Sequence, residues 1–406
     1  MDIKLFSDIA ARWMLVAATF SLVLPTALLS LFLVLLVGFW ILSGNFARKW
    51  AILHANPAAL AAVALFLLYG FGTLYSPVPW EESLGVWSKY LKLLLIPIIV
   101  SLLDDKQWRR RAADAFLWGM LLVLVVSYLK FLGWIPHVDN GQGYLMFKNR
   151  ITHNIFMAFT VYLLLVRAYL HASRRVLWAC LALVAAANVL FLVNGRTGQL
   201  LLLMMLVFFL AQNWGKRGAA VGIMAIAALA TAFVVFSGQN DLQKIRLLQM
   251  QSEIQSHQHE GPTKTSSGLR LEFYKNSLAI ATERPWLGWG TGSFKAVYAL
   301  HERNNPHATA VDNPHNEYLL TIQQLGFFGL VTLLVMGWLT WRAANRLAGF
   351  DGECLRALVL LIGIGAMFNS LLLDSSEGKF YCLMAGIYLS GWAEPDRVSE
   401  EKNAPD

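Results

Sequence analysis

The feature that most constrains this chain is a succession of twelve apolar runs, separated mainly by short polar breaks. They fall roughly at 10–24, 26–43, 57–75, 88–103, 112–134, 151–170, 176–193, 197–213, 218–236, 316–341, 354–373 and 379–393. A helix that crosses a bilayer needs about 20 mostly apolar residues, and it must satisfy its own backbone polar groups where water is absent. The runs therefore predict an all-α integral membrane protein with about 12 transmembrane helices. At 406 residues, 57% hydrophobic and only 14% charged, the chain carries more apolar surface than a soluble domain of this length needs. The first two runs are too long to be one crossing at about 1.5 Å per residue. Pro25 lies near their middle, so a tight hairpin is expected, with one long kinked helix as the alternative.

Charge orients the helices. The net charge is +8, but Lys and Arg are scattered through short loops rather than gathered on a polar domain. That distribution argues against nucleic-acid binding and for the positive-inside rule. With the N-terminus in the cytoplasm, the inner loops hold Arg48 and Lys49, Lys106 and Arg109 to Arg111, Arg174 and Arg175, Lys216 and Arg217, then Arg342, Arg346 and Arg356. The opposite loops hold Glu81, Glu82, Asp139, Asp374 and Glu377. Four regions follow: a transmembrane region of about nine helices over 1–236, a large outer loop over 237–315, three more helices over 316–393, and a cytoplasmic tail over 394–406. In a Gram-negative host the large loop would be periplasmic. Met1–Ser7 carries only Lys4 and no small-residue cleavage site follows, so a retained first helix is expected rather than a signal peptide. Cys180, Cys354 and Cys382 all lie outside the large loop and suggest neither a disulfide framework nor a metal site.

The large loop is the one extramembrane segment long enough to fold. Helical character is expected around Asp241–Gln255, and an amphipathic helix over Leu269–Glu283. The string E-R-P-W-L-G-W-G-T-G-S-F follows, a Pro/Gly-rich turn whose Trp286 and Trp289 suit a membrane interface.

Cations on the outer side are exceptions to the charge rule. Arg196 sits in Asn194–Gly198, N-G-R-T-G, between two apolar helices. It is either an arginine snorkelling from a helix end or a ligand contact, with glycines that let a ligand approach the backbone. Arg270 and Tyr274 share one helix face; by itself Arg270 reads as a surface residue or a partner of Glu272. Lys148, Arg150 and His153, in K-N-R-I-T-H-N, could bind phosphate or cap a helix. In V-D-N-P-H-N-E-Y-L-L, Val311–Leu320, Asp312 or Asn313 could be the N-cap with Pro314 in the first turn. That leaves His315 in need of another reason, and histidine suits general-base work near neutral pH. Asp374, Glu377 and Lys379 could orient it, or simply form a solvated loop. No P-loop, dinucleotide fingerprint or Asp-x-Asp pair appears, so no cofactor or metal is expected, and arginines would have to supply positive charge.

Three strings together resemble the O-antigen ligase family, within the O-antigen ligase/polymerase superfamily. They are G-L-R-L-E-F-Y with the following P-W-L-G-W-G-T-G-S-F, the His-Asn-x-Tyr-Leu of 315–319 followed by Gly326 and Gly329, and N-G-R-T-G at 194–198. The resemblance covers about 190–375 by motif and the rest by topology. It implies a helical fold similar to the metal-independent end of the glycosyltransferase C class. It also implies transfer of O-antigen from undecaprenyl pyrophosphate to a lipid A–core oligosaccharide, at the periplasmic face of the inner membrane. Arg196 and Arg270 would hold the donor pyrophosphate, and His315 would be the base or would position the acceptor. Lys148, Arg150, His153, Tyr274, Asn316, Tyr318 and Asp374 would complete the substrate site, with membrane lipid around the donor tail. An O-antigen polymerase or a protein O-oligosaccharyltransferase would use the same groups on another acceptor. A lipid-linked sugar transporter is disfavoured, because the spans carry almost no mid-helix charge.

Overall fold

The computed structural model describes residues 2–137, 141–237, 266–304 and 311–393. The helix expected at Asp241–Gln255, the loop charge Asp139 and the tail 394–406 lie outside the described residues. Among the described residues the chain is helical, and the single β-bridge joins Gly143 to Val193.

In chain order the helices are α1 (Ile3–Ser21), α2 (Thr26–Leu42), α3 (Phe46–His54), α4 (Pro57–Gly72), α5 (Trp80–Ser88), α6 (Leu95–Leu102), α7 (Lys106–Phe131), α8 (Arg150–Leu170) and α9 (Arg175–Ala187). They continue as α10 (Arg196–Ser237), α11 (Ser266–Glu283), α12 (Phe294–His301), α13 (Glu317–Ala344), α14 (Gly349–Gly365) and α15 (Ser375–Leu389). A 3₁₀ turn, Leu91–Leu94, joins α5 to α6, and a π turn, Asn188–Leu192, extends α9. The starts follow local chemistry. Asn56, Asp105 and Asn149 accept backbone N–H groups at the heads of α4, α7 and α8, and Pro57 fills the first turn of α4, where a missing N–H costs nothing.

The first two helices form the expected hairpin. The chain reverses between Ser21 and Thr26, and Leu15, Ala18, Leu22, Leu29 and Leu36 are fully buried between α1, α2 and their neighbours. The number of crossings is where the structure departs from the sequence count. Among the described residues, six helical stretches are long and apolar enough to cross a bilayer, two of them composite (Trp80–Leu102 through α5 and α6, and Ala172–Leu192 around α9), or seven if α2 and α3, bent by 111°, make one broken span. The other apolar runs do form helices, but α4, α14 and α15 have only 16, 17 and 15 residues. Helix α15 shows why: every residue from Phe380 to Leu389 is buried by protein, so its length is matched to neighbouring helices. Phe116, Phe156, Phe159 and Phe380 meet there, with ring centroids 4.5–6.1 Å apart. The runs 197–213 and 218–236 lie within α10, which breaks at Gly215.

The ends of the bundle differ. At the end holding the start of α7 and the finish of α8, arginines are paired. Arg12 binds Asp8 at 2.8 Å and Asp104 at 3.0 Å, Arg109 binds Asp351 at 3.3 Å, and Arg167 binds Asp114. The opposite end gathers the heads of α8, α10, α13 and α15, and with them every residue nominated from the sequence.

Candidate active site

The site is built around the head of α13. Asn316 is its N-cap, its side chain accepting from the N–H groups of Tyr318 and Leu319 at 3.0 and 3.1 Å. The cap expected at Asp312 or Asn313 therefore lies three or four residues too early. Asn313 Oδ1 instead accepts the backbone N–H of His315 at 2.9 Å and the hydroxyl of Ser370 at 3.1 Å. This tight turn holds His315 at φ +53°, in the left-handed region that non-glycine residues seldom occupy. Such strain persists only where surrounding contacts impose it, and it concentrates at functional positions.

The helix expected over Leu269–Glu283 forms as α11, though not with the amphipathic segregation expected, and supplies the next groups. Tyr274, on α11, places its hydroxyl 2.6 Å from the carbonyl oxygen of Met367 and 3.2 Å from that of His315. Asn316 donates its amide to the same Met367 oxygen at 3.1 Å. Phe273 lies beside the imidazole, with ring centroids 6.4 Å apart. Half-buried Arg270 is one turn before Tyr274. Burial first, and then the Arg270 guanidinium, hold the His315 pKa below its ordinary value. The imidazole is thus neutral and able to accept a proton near pH 7. Arg270 has no carboxylate partner among the described residues, unlike Arg12, Arg109 and Arg167.

The glycine-rich string fixes this head from below. Helix α13 is kinked at Gly326, φ +63°, which frees carbonyls of the preceding turn. The N–H groups of Trp289 and Gly290 donate to Gln323 and Gln324 at 2.9 and 2.8 Å, and Thr291 donates to Gly72 at 2.9 Å. A Cβ on Gly326 would meet the Trp286 carbonyl oxygen at 2.3 Å, so the close approach requires glycine. Trp286 itself remains exposed.

The segment 366–377 links this group to a second one. Glu317, 1% exposed, accepts the N–H groups of Leu372 and Leu373 at 2.8 and 3.3 Å, and its own N–H donates to Ala366 at 2.8 Å. Lys92, also buried, donates to the carbonyls of Leu373 and Asp374 at 3.2 and 2.5 Å. Beyond them, Lys148 reaches the Ser376 hydroxyl at 3.4 Å, and Thr152 donates to Glu377. The N-G-R-T-G turn abuts this second group, because a Cβ on Gly198 would meet Asn154 at 2.1 Å. Arg150 and Arg196 are exposed and, among the described residues, have no carboxylate partner.

The nominated residues thus form two groups. Arg270, Tyr274, His315 and Asn316 are together. Lys148, Arg150, His153 and Arg196 lie across the 366–377 segment, and no hydrogen bond or ion pair joins the groups directly. His153 is buried, with Nε2 2.8 Å from Asn188, so it braces α8 against the π turn and does not face an incoming ligand. Tyr318 points inward, donating to Gly363 at 2.7 Å. Asp374 is not bonded to His315; burial and Glu377 raise its pKa to about 6. Sequence reasoning missed Glu317 and Lys92 as organisers. Their signal was a carboxylate and an ammonium each set into a strongly apolar run.

The described residues define a multi-pass, helical membrane protein with the nominated polar residues at one end. Residues 179–334 match the family model described as O-antigen ligase. Its members are glycosyltransferase-like enzymes, ligases and polymerases alike, that act on lipid-linked polysaccharides. A search of curated proteins finds no match. Arg196, Arg270, Tyr274, His315, Asn316 and Tyr318 fall within the matched stretch; Lys148, Arg150, His153 and Asp374 fall outside it.

Proposed function

We propose that this chain is an O-antigen ligase. It transfers O-antigen from undecaprenyl pyrophosphate to a sugar hydroxyl of the lipid A–core oligosaccharide, at the periplasmic face of the inner membrane. The observation that carries this reading is the half-buried His315 beside Arg270, a guanidinium without a carboxylate partner among the described residues.

The chemistry is a single displacement. The acceptor hydroxyl oxygen attacks the anomeric carbon, the bond to the pyrophosphate oxygen breaks, and that oxygen leaves with the electron pair. His315 takes the hydroxyl proton, and the anomeric configuration inverts. Arg270 stabilises charge developing on the leaving group, worth far more near a low-dielectric membrane than in water. A guanidinium stays protonated and binds phosphate oxygens in pairs, so Arg196 and Arg150 suit the remaining donor charge. The left-handed turn at His315 aims the imidazole; Tyr274 holds the turn by the His315 carbonyl, and Asn316 ties it to the carbonyl of Met367. With arginines in this role, transfer proceeds without a divalent cation.

The test uses purified protein, lipid-linked O-antigen and lipid A–core acceptor. General-base catalysis contributes about 10²–10⁴-fold, so His315→Ala should lower transfer by at least that scale while donor binding persists. Turnover should continue in excess EDTA. Near-normal transfer by His315→Ala would remove the base assignment. Lengthening of the glycan on its polyprenyl carrier, with none passed to lipid A–core, would make the protein a polymerase.

A further inference from the structure

The His315 turn adjoins a cavity of about 900 Å³ that the chemistry above does not use. Its lower wall is apolar, formed by Leu33, Val34 and Val37 of α2 facing Leu94, Leu95 and Ile98. Its upper wall is polar and carries Lys89, Lys92 and Lys379, with Ser375, Asp374, Asp312 and Asn313. Asn313 is the residue that accepts the His315 backbone N–H, so the polar end of the cavity reaches the turn that carries the candidate base. A second cavity, about 310 Å³ and almost wholly apolar, lies between α13 and α14. Successive residues divide the two: Leu372 lines the smaller and Leu373 the larger.

The charges in the larger cavity are unbalanced. Asp312 is paired with Lys295 at 2.9 Å. Asp374 faces Lys89 and Lys92, with Glu377 close enough to repel it, so three lysines of the cavity wall meet one carboxylate of that wall that is not already paired. Lys379 donates weakly to Ser30 at 3.4 Å and lies close enough to Lys92 and Lys148 to repel both. The first turn of α15 opens here without a side-chain cap, leaving N–H groups directed toward the same place. Crowded ammonium groups above an apolar trough complement a lipid with a phosphorylated head.

We propose that this groove binds the phosphorylated glycolipid acceptor, its phosphate on Lys89 and Lys379 and its chains along α2 and α6. The proposal rests on the ligase reading, which requires two lipid-anchored substrates to reach one base from different sides. The arginines suit a pyrophosphate held in fixed geometry; lysines, as point charges on flexible stems, suit a phosphomonoester on a bulkier head. An acceptor seated there would present its sugar hydroxyls to His315 past Asn313.

The test places the full chain in phosphatidylcholine nanodiscs, with a photo-crosslinking residue at Val37. Irradiation should yield an adduct with lipid A–core glycolipid, reduced by excess unlabelled glycolipid and not by undecaprenyl phosphate. In the transfer assay, Lys89→Gln with Lys379→Gln should raise the KM for the acceptor about tenfold, leaving kcat and the donor KM unchanged. Enzymatically dephosphorylated acceptor should show the same KM with variant and wild type. A rise in the donor KM instead, or an adduct with undecaprenyl phosphate or phosphatidylglycerol in place of the glycolipid, would overturn the assignment. Unchanged kinetics and no adduct would do the same. If the wild type transfers nothing, the ligase reading falls, while the crosslink still decides what the groove holds.

Discussion

A histidine held in the left-handed region under an arginine makes separable demands on backbone and side chain. His315→Gly relaxes the backbone, since glycine occupies φ +53° without steric cost. Its thermal midpoint should match or exceed that of the wild type, while transfer is lost. If His315→Gly kept activity, the imidazole would have no chemical part. The pH profile tests Arg270. Burial and the Arg270 charge both lower the His315 pKa, so the neutral imidazole persists below its ordinary value of about 6.5. Activity should therefore fall only as pH drops through a midpoint below that value. Arg270→Gln removes one of the two lowering effects, and its residual activity should show a midpoint moved upward. A midpoint unmoved by this substitution would place Arg270 too far away to matter. His315 stood out in the sequence because the cap residues before it left it without a local structural reason, whereas Arg270, which reads locally as a surface residue or a partner of Glu272, drew attention only through the family resemblance. The sequence misread Asn313 because both Asn313 and Asn316 are good caps, and only the position of Ser370, 57 residues on, decides between them.

At the level of elements, the glycine string and the α13 kink form one unit. The sequence showed a Pro/Gly-rich turn after a helix, and both are present, although apolar and polar residues are barely segregated around that helix. It did not show what the turn grips, because the acceptors are carbonyls of Gln323 and Gln324 that a kink makes available. Gly290 tests the unit: at φ +94°, a Cβ there would meet Ser76 Cα at 2.5 Å. Backbone strain alone costs about 1–3 kcal/mol, so Gly290→Ala should lower the thermal midpoint and reduce transfer together. A variant as stable as the wild type would mean that the grip is dispensable. Glu317 tests the linking segment. Glu317→Ala leaves the N–H groups of Leu372 and Leu373 without their acceptor, at about 1–3 kcal/mol for each buried group. Glu317→Gln keeps one acceptor oxygen and should destabilise less; equal losses from both would argue that the carboxylate charge, and not its hydrogen bonds, is what counts.

For the whole molecule, alternating apolar runs made the helical class legible, and short buried helices made the crossing count illegible, since a run shielded by protein need not match bilayer thickness. Orientation is tested by single cysteines in a background with Cys180, Cys354 and Cys382 replaced by serine. A cysteine at Lys295 should react with a membrane-impermeant maleimide on intact cells, and one at Arg346 only after permeabilisation. The reverse pattern would turn the His315 end toward the cytoplasm and end the periplasmic reading. The segment 366–377 also has a consequence in time. Its partners include Lys92, Lys148, Thr152, Tyr274, Asn313, Asn316 and Glu317, all synthesised earlier, and α15 closes against α6 and α7 only after it. A ribosome that has released the first 365 residues has made every arginine and the histidine of the site, yet not the carbonyl of Met367 and the hydroxyl of Ser370 that tie Tyr274, Asn316 and Asn313 around them. On the ligase reading, a chain cut after residue 365 should therefore transfer nothing, and competence should arrive only once segment 366–377 and α15 are in place.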